Sequence, residues 1–386
     1  AKHGATTLFD VLYARDSLDR ITQMEETVGG VTTVKAFTYD SVGRLDQVRV
    51  NGALTSDYGY DPNGNRTSLT TEAGTVTGAY DDQDRMLSYA GANYGYSANG
   101  ELTMKVVGVD TTRYTYDLLG NLLQVRLPNG TVIGYLVDAQ SRRIAKMVNG
   151  VLVQGFLYQG QLAPVAELDG SGAIVSRFVY ATRPTVPDYI VRGSTTYRVV
   201  TDHLGSVRLV VDVATGSVVQ QIDYDEYGRV RQNTNPEFQP FGYAGGLHDE
   251  ATGLDRFGAR DYESESGRWT TKDPLGFRSA VVNLYTYVRG DPIERSDPSG
   301  LADCCNKATR ALNDALTFAY LDHLRRTNLP EMVVGTLRPQ KAFDQQSLLG
   351  IPISSILGPS VTIEAPTQIR ASLDADFNIL IKGYGK

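Results

Sequence analysis

Three charged residues in the last third of the chain have the types and positions needed to hydrolyse a peptide bond. Asp273 and Asp297 each precede a proline, and Arg260 lies upstream of both. An aspartyl mechanism needs two carboxyl groups that share a proton: one is ionised and takes a proton from water, and the other is neutral and polarises the scissile carbonyl. These residues predict a single-turnover aspartyl protease that acts on its own chain.

The Asp-Pro steps have an ordinary alternative as turns. Proline restricts the backbone of the residue before it, and a catalytic pair requires such preorganisation. We expect Arg260 to orient one carboxylate through a bidentate contact or to hold the carbonyl oxygen as charge develops. Asp291 also precedes a proline and is the residue most easily mistaken for a member of the pair.

The element that must position these residues is built from a Tyr-rich repeat. Its pattern is Tyr-x-Tyr-Asp, two residues, Gly, a polar residue and Leu, and it recurs about every twenty residues. Clear copies are FTYDSVGRLDQV from Phe37, YGYDPNGNRTSL from Tyr58, YGYSANGELTMK from Tyr94 and YTYDLLGNLLQV from Tyr114. Weaker copies start at Leu12, Gly78 and Ile222. Such periodicity indicates stacked supersecondary units.

Each repeat predicts a β-hairpin. Tyrosines two residues apart share one face of a strand, the aspartate opens a turn through its side-chain acceptor, and the glycine takes a positive φ. The aspartates are Asp40, Asp61 and Asp117, the glycines Gly43, Gly64 and Gly120, and the residues that begin the return strands Leu45, Leu69 and Leu122. One hairpin is barely stable alone. The sequence therefore predicts a mainly β protein in which stacked hairpins form a long, curved sheet.

Composition narrows the function classes. The chain has 386 residues, 39 Gly, 23 Tyr and a formal charge of -7, which gives no support to a nucleic-acid or anionic-membrane surface. Its two adjacent cysteines, Cys304 and Cys305, provide neither a disulfide framework nor a CxxC metal site. No metal and no cofactor are expected.

No apolar run approaches the roughly 18 to 20 residues that span a bilayer, and no secretion signal is visible. Because the sequence opens within a repeat, we expect that an amino-terminal part is missing.

Three other side chains are candidates for a role. His203, in the segment TDHLGSVRL, is expected to be a turn or packing residue. His248 stands beside Asp249 and Glu250 in a cluster that is more often solvated than metal-binding. Trp269 is expected to anchor a core.

The segment 302–386 has a different composition and predicts a small α+β domain. From Asp303, apolar residues at spacings of three and four indicate one amphipathic helix of about twenty residues. The later apolar stretches 332–334, 351–357 and 377–381 predict short strands or buried loops. Cys304 and Cys305 are more typical of small buried residues than of a thiol nucleophile. No residues in this segment identify its chemistry.

Three blocks together carry a resemblance to a known family. They are the Tyr-Asp repeats, the segment TDHLGSVRL at 201–209, and the stretch from about residue 224 to DPSGL at 297–301. The chain resembles a bacterial RHS (rearrangement hotspot) or YD-repeat protein over about residues 8–301. The resemblance implies a spiralling β-shell at 1–223, an RHS-associated core at 224–301 that turns inward, and a variable carboxy-terminal domain at 302–386. About 300 residues are short for a closed container, so an open wall is expected.

The resemblance also implies a function. In that family the variable domain is usually a toxin enclosed by the shell, and autoproteolysis after Asp-Pro-x-Gly-Leu releases it. Here the cut would fall between Leu301 and Ala302, with Arg260, Asp273 and Asp297 at the family's motif positions. Asp261 departs from the family pattern, and we expect it to compete for the guanidinium of Arg260.

The expected setting is bacterial and follows from the same resemblance. It is a secreted or cell-surface-delivered effector in interbacterial competition, with a delivery apparatus (a secretion-system spike or a toxin-complex component) and a cognate immunity protein as partners. Two alternatives remain. One is a non-enzymatic YD-repeat scaffold for surface adhesion or assembly, with an inert tail. The other makes the tail a separate hydrolase.

Overall fold

The computed structural model describes residues 1–4, 6–279 and 281–301, together with the backbone of short strands at 347–348, 351–352, 369–373 and 379–383. Regular structure in these residues consists of strands and three short 3-10 helices. The predicted mainly β class is confirmed.

The architecture is dominated by one antiparallel sheet. A two-stranded ribbon, β1 (Lys2–His3) and β2 (Thr6–Thr7), precedes it. The next 22 strands pair in chain order, and the sheet closes on itself. We call these strands the wall. They are β3 (Phe9–Arg15), β4 (Ile21–Val28), β5 (Val31–Tyr39), β6 (Leu45–Val50), β7 (Ala53–Tyr60), β8 (Arg66–Thr71), β9 (Gly74–Tyr80), β10 (Met86–Tyr89), β11 (Ala92–Tyr96), β12 (Leu102–Val107), β13 (Asp110–Tyr116), β14 (Leu122–Arg126), β15 (Val132–Val137), β16 (Arg143–Val148), β17 (Val151–Gln159), β18 (Ala163–Asp169), β19 (Ile174–Val179), β20 (Tyr189–Arg192), β21 (Thr195–Thr201), β22 (Val207–Asp212), β23 (Val218–Tyr224) and β24 (Val230–Asn233).

The repeats form the predicted hairpins. In the turn between β13 and β14, Asp117 Oδ1 accepts hydrogen bonds from the backbone N–H groups of Leu119 (2.8 Å) and Asn121 (2.9 Å). Gly120 has a φ of 81° there, a conformation that costs glycine little. The strand then resumes at Leu122, which is fully buried. The side-chain acceptor of the aspartate and the freedom of the glycine therefore make the turn.

One prediction within the repeat is wrong by three residues. The return strand of the second clear repeat begins at Arg66 and not at Leu69. Arg66 occupies the position that Leu45 and Leu122 hold in their own repeats, and like them it is buried. Its guanidinium lies 4.7 Å from the ring centroid of Tyr227 and 4.9 Å from that of Tyr89. An arginine can replace the leucine here because aromatic faces receive the buried cation.

The wall closes, contrary to the expectation of an open wall. Side chains of the first strands pack against strands near the end of the wall: Phe9 of β3 belongs to one apolar cluster with Val200 and Leu209. In the same region Arg208 Nη2 donates to Glu26 Oε2 at 3.0 Å. A sheet that closes on itself lacks the exposed edge strands that an open sheet would leave, so 22 strands suffice for closure.

The chain then turns into the ring. We call residues 234–301 the plug. It contains a four-stranded antiparallel sheet, β25 (Leu247–Asp249), β26 (Leu254–Phe257), β27 (Arg260–Glu263) and β28 (Arg268–Trp269), and 3-10 helices at Tyr243–Gly245, Gly276–Ser279 and Val288–Gly290. Polar pairs join it to strands and turns around the wall: Glu294 to Arg15, Glu263 to Lys105, Asp261 to Arg143, and the Ala244 N–H to Ser206 Oγ. Contacts with strands so far apart in the ring place the plug inside it.

An aromatic cluster forms the centre of the plug. Trp269, Tyr262 and Tyr287 are each at most 2% exposed and pack with Phe257 and Tyr243. The Tyr262 and Tyr287 ring centroids are 4.4 Å apart. The prediction that Trp269 anchors a core is confirmed. Aromatic side chains of this size dominate core energetics, so the cluster gives the plug a rigid base.

Little of the segment 302–386 is described. Two strand pairs are present, β29 (Ser347–Leu348) with β30 (Ile351–Pro352) and β31 (Ile369–Leu373) with β32 (Ile379–Gly383). β30 and β32 overlap two of the predicted apolar stretches. The predicted helix after Asp303, the stretch 332–334 and both cysteines lie outside the described residues. In the described part of the chain, no helix is long and apolar enough to cross a membrane.

Candidate active site

The small sheet of the plug positions Arg260. β26 and β27 form a tight hairpin in which Phe257 pairs with Arg260. Gly258, in the turn, has a φ of 44°, and a Cβ there would lie 2.3 Å from Ser299 O. The Ala259 N–H donates to that same oxygen at 2.9 Å. The hairpin therefore holds the DPSGL segment directly against the start of β27.

The structure brings together all three predicted catalytic residues. Arg260 Nη2 lies 3.4 Å from Asp273 Oδ2 and 3.3 Å from Asp297 Oδ2. Because both carboxylates contact one nitrogen, they face a common space. All three side chains are at most 4% exposed. A cation between two buried carboxylates offsets the cost of burying their charge.

Trp269 also contacts the guanidinium of Arg260. The Arg260 Cζ lies 4.1 Å from the Trp269 ring centroid, within stacking distance. Arg260 Nη1 also donates to Leu284 O at 3.4 Å. Stacking and hydrogen bonding together leave the side chain one orientation, which supports the preorganisation expected of this residue.

The last turn presents a peptide group to these residues. Asp297 Oδ1 accepts hydrogen bonds from Ser299 Oγ (2.9 Å) and from the Leu301 N–H (3.1 Å), and Arg260 Nε donates to Gly300 O. Asp297 and Arg260 thus hold the two ends of the Gly300–Leu301 peptide group. The predicted Leu301–Ala302 bond follows at once, and Ala302 lies outside the described residues.

Glycine is required at position 300. Its φ is 65°, and a Cβ at this position would lie 2.3 Å from the backbone oxygen of Phe257 and 2.9 Å from the backbone nitrogen of Arg260. Leu301 is 2% exposed, so the residue before the predicted cut is buried in the plug. The close approach of two backbones explains the Gly-Leu step of the motif.

The two carboxyl groups have different surroundings. Burial raises the pKa of Asp273 above its ordinary value, and the charge of Arg260 offsets only part of this rise. Asp273 Oδ1 accepts the Leu275 N–H at 2.8 Å. Asp297 accepts two hydrogen bonds at Oδ1 and contacts the guanidinium at Oδ2. The raised pKa of Asp273 fits the expected role of the neutral acid, which leaves the expected role of the base to Asp297.

This assignment predicts a pH dependence with a definite sign. If Asp273 acts as the acid of a self-cleavage reaction, the rate of that reaction should fall as pH rises through the raised pKa of Asp273, by about tenfold for each pH unit above it. Uncut chain, refolded from denaturant into buffers of stepped pH and followed by gel electrophoresis, measures the rate. A rate that keeps increasing from acidic to alkaline pH would contradict the assignment of Asp273 as the acid.

Two neighbouring aspartates have other roles. Asp261 was expected to compete for Arg260, but its oxygens contact Arg143 Nη2 (2.6 Å) and Arg256 Nη1 (2.8 Å) instead. That expectation is wrong because β27 alternates its side chains, so that successive residues point to opposite faces. Asp291 caps its own turn, accepting the Glu294 N–H at 3.2 Å, and burial raises its pKa to about 6.

His203 and His248 serve as structural contacts. His203 is a packing residue, as predicted: Nδ1 lies 3.1 Å from Tyr13 Oη, and Nε2 lies 2.6 Å from Ile293 O of the plug. Burial would lower the pKa of His248, but Asp255 and Glu250 raise it to about 10. An imidazolium is a poor metal ligand. The described residues contain no group of three or more His, Cys, Asp or Glu able to hold a metal ion.

Sequence reasoning missed several residues that support the site. Ser299 bridges Asp297 Oδ1 and the Leu301 N–H, the latter at 3.2 Å. Arg143, from the wall, neutralises Asp261, and its guanidinium lies 3.6 Å from the Tyr135 ring centroid. The signal for Arg143 was available, since it occupies the leucine position of a repeat whose turn begins at Asp138.

Comparisons with known proteins agree with this architecture. A family model described as the Teneurin YD-shell matches residues 2–293. Teneurin-3 of Danio rerio is 28% identical over 296 residues, which are 72% of this chain and 11% of that protein. Teneurin-4 of Mus musculus is 27% identical over 385 residues, 92% of this chain and 14% of that protein. Salivary gland surface protein 1 of Aedes aegypti is 37% identical over 112 residues, 28% of this chain and 3% of that protein.

A solved structure shares the fold. In the crystal structure of TcdB2-TccC3-Cdc42, one chain superposes with a TM-score of 0.52 at 18% identity, covering 76% of this chain and 17% of that chain. This chain spans 11% to 14% of the teneurins it matches. Together the sequence and structural matches confirm the YD-repeat shell predicted from the Tyr-Asp motifs.

Proposed function

The chain belongs to the Teneurin YD-shell family, and from that premise we propose that it is a self-cleaving shell. Its plug hydrolyses the bond between Leu301 and Ala302 once, by an aspartyl mechanism. The reaction separates the wall and plug from the segment 302–386, which is the cargo.

One observation carries the proposal. A single guanidinium nitrogen, Arg260 Nη2, contacts both Asp273 and Asp297, while Nε of the same side chain binds the carbonyl of Gly300. Two carboxyl groups, a cation and the peptide group before the predicted cut thus meet at one buried point. The contact of Asp297 Oδ1 with the Leu301 N–H is the one that turn aspartates such as Asp117 make in the wall. The support therefore comes from Oδ2 of Asp297, which meets Asp273 at Arg260 Nη2.

The chemistry follows from these contacts. Asp297, ionised, takes a proton from a water molecule, whose oxygen bonds to the carbonyl carbon of Leu301. Asp273, neutral, donates its proton to the carbonyl oxygen, which gives a neutral diol, and Arg260 stabilises the Asp273 carboxylate that this leaves. When the C–N bond breaks, Asp297 passes the proton it took from water to the departing nitrogen, and one hydroxyl group of the diol returns a proton to Asp273. Leu301 keeps a carboxyl group and Ala302 an amino group.

The proposal extends to enclosure, delivery and partners. The plug occupies the inside of the ring, and two described cavities between plug and wall measure about 250 and 50 Å³. These are sizes for small molecules, so enclosing a folded cargo would require more wall than these 22 strands.

The structural neighbour is part of a multiprotein complex, TcdB2-TccC3-Cdc42, which supports a partner of the toxin-complex kind. A toxic cargo, secreted delivery and an immunity protein complete the proposal, and growth of bacteria that express residues 302–386 tests the first of these.

A second function has its own support. The relatives include teneurins and a salivary gland surface protein, so a non-enzymatic scaffold at a cell surface fits the wall equally well. Under that function the trio of Arg260, Asp273 and Asp297 only stabilises the plug. The two functions differ in one property, the integrity of the chain.

Intact mass of the purified full chain distinguishes them. Self-cleavage predicts two fragments, the first ending at Leu301 and the second beginning at Ala302. A first fragment that ends at Gly300 would show that the chain is cut at the Gly300–Leu301 bond, whose carbonyl group binds Arg260 and whose N–H group binds Asp297. A single species of full mass would refute the proposal and favour the scaffold.

A further inference from the structure

Four turns of the wall share an ion pair. In each of them an arginine stands four residues after the turn aspartate and binds it through the side chain. The pairs are Asp16–Arg20 (2.7 Å), Asp40–Arg44 (2.6 Å), Asp81–Arg85 (2.7 Å) and Asp138–Arg142 (2.6 Å). We call the residue in this position the turn residue.

The turn arginine also links its turn to the next one. Arg44 lies 4.7 Å from the Tyr60 ring centroid and donates to Asp61 O at 2.8 Å. Arg142 makes the same two contacts with Tyr158 (5.2 Å) and Gly160 O (2.8 Å). The guanidinium thus stacks on the tyrosine before the next turn and binds a carbonyl within that turn.

At two turns the turn residue is asparagine. Asn65 follows Asp61, and Asn121 follows Asp117. Each side-chain amide still binds its aspartate through Nδ2, at 2.8 and 2.9 Å. Each amide oxygen is left as a neutral acceptor, and no guanidinium from the wall extends to the next turn from these positions.

Arginines of the plug take the missing place at both turns. Arg268 Nη1 donates to Asn65 Oδ1 at 2.6 Å, Nη2 donates to Asp84 O in the next turn, and the guanidinium lies 4.8 Å from the Tyr80 ring centroid. Tyr80 precedes the turn at Asp81, as Tyr60 precedes the turn at Asp61. The plug side chain therefore reproduces both contacts that a turn arginine makes with the next turn.

The second position repeats the arrangement. Arg256 Nη2 donates to Asn121 Oδ1 at 2.8 Å and to Ser141 O, in the next turn, at 3.0 Å. A third turn, at Asp202, has Ser206 as its turn residue, and Ser206 Oγ accepts the Ala244 N–H of the plug at 3.0 Å. The turns at Asp61, Asp117 and Asp202, whose turn residues are not arginine, are thus places where the plug binds.

We propose that Asn65 and Asn121 are docking sites for the plug, each a turn with its arginine withheld so that Arg268 or Arg256 can complete it. The two sites fix the position of the plug within an otherwise repetitive ring. A turn that keeps its arginine has no neutral amide oxygen at the turn residue, so it lacks the acceptor that Asn65 and Asn121 offer to a plug arginine. The proposal concerns docking and holds whether or not the chain is cut.

The two docking arginines flank the candidate site. Arg256 lies in β26 and Arg268 in β28, while Arg260 begins the strand between them. Docking through β26 and β28, the two neighbours of β27, therefore fixes the small sheet that carries Arg260 and Trp269.

Substituting arginine for the asparagines tests the proposal. In Asn65→Arg and Asn121→Arg, the wall guanidinium should occupy the space of the plug arginine and displace it. Hydrogen exchange of the full chain, read by mass spectrometry, should show about tenfold or more loss of protection in β26–β28. Protection of the wall strands β18–β21 should stay at the wild-type level. Arginine is the usual turn residue of the wall, so the substitutions should not disturb its hairpins.

A swap and a matched control separate displacement from general damage. Asn65→Arg combined with Arg268→Asn restores one arginine and one asparagine to the site and should recover most of the protection. Ala173→Arg, which places an arginine at the exposed turn residue of the Asp169 turn, should leave β26–β28 protected. Wild-type protection of β26–β28 in both Asn→Arg variants, no recovery in the swap, or loss of protection throughout the wall would each overturn the proposal.

Discussion

Asp297→Asn is expected to leave the chain in one piece. The substitution keeps the size of the side chain and an oxygen able to accept the Leu301 N–H, which lies 3.1 Å from Asp297 Oδ1. It removes the base that takes a proton from water, and losing one positioned acid or base slows a reaction about 10²- to 10⁴-fold. Quantifying cut and uncut chain by intact mass after purification measures the effect.

Asp273→Asn should have the same outcome, since it removes the proton donor. Asp291→Asn is the matched control: Asp291 also precedes a proline and is buried, at 5% exposed, but its oxygens bind the Glu294 N–H and Arg295. This variant should be cut as completely as the wild type. Complete cutting in Asp273→Asn or in Asp297→Asn would show that the acid–base pair is assigned wrongly.

Arg260→Gln is expected to produce the largest loss of stability. The change removes the cation shared by Asp273 and Asp297 and the group that stacks on Trp269. Removing one partner from a buried ion pair costs about 3–5 kcal/mol, because an uncompensated charge stays buried. Urea unfolding of chains that end at Leu301 gives the free energy of unfolding without interference from cleavage.

The control for this prediction is Arg113→Gln, at an exposed position on β13. An exposed arginine contributes little, so the free energy of unfolding should change by less than about 0.5 kcal/mol. Equal losses of unfolding free energy in the two variants would mean that Arg260 does not compensate the buried charge of Asp273 and Asp297.

Local features of the fold could be predicted from the sequence. The Asp117 turn depends on an acceptor and a glycine that stand within four residues of each other, so its chemistry is visible in the repeat itself. The error at Arg66 arose because a leucine was expected where an arginine is buried. An aromatic cage formed by Tyr89 and Tyr227, from distant parts of the chain, makes that burial possible.

Long-range features could not be predicted in the same way. Asp261 and Arg260 are adjacent, and the sequence does not show that Arg143, in the wall, neutralises the first while two Asp-Pro carboxylates surround the second. Ring closure is likewise a property of the accumulated twist of 22 strands. The trio was nevertheless predicted, because Asp273 and Asp297 each precede a proline and because the family resemblance placed Arg260 beside them.

The most direct test of self-cleavage is the kinetics of the purified chain. Uncut wild-type chain, unfolded in denaturant and diluted into refolding buffer, should be cut in a first-order reaction whose rate is the same across a hundredfold range of protein concentration. The amino-terminal fragment should end at Leu301. A chain that refolds and stays whole, or one cut only when a second protease is added, would contradict the account.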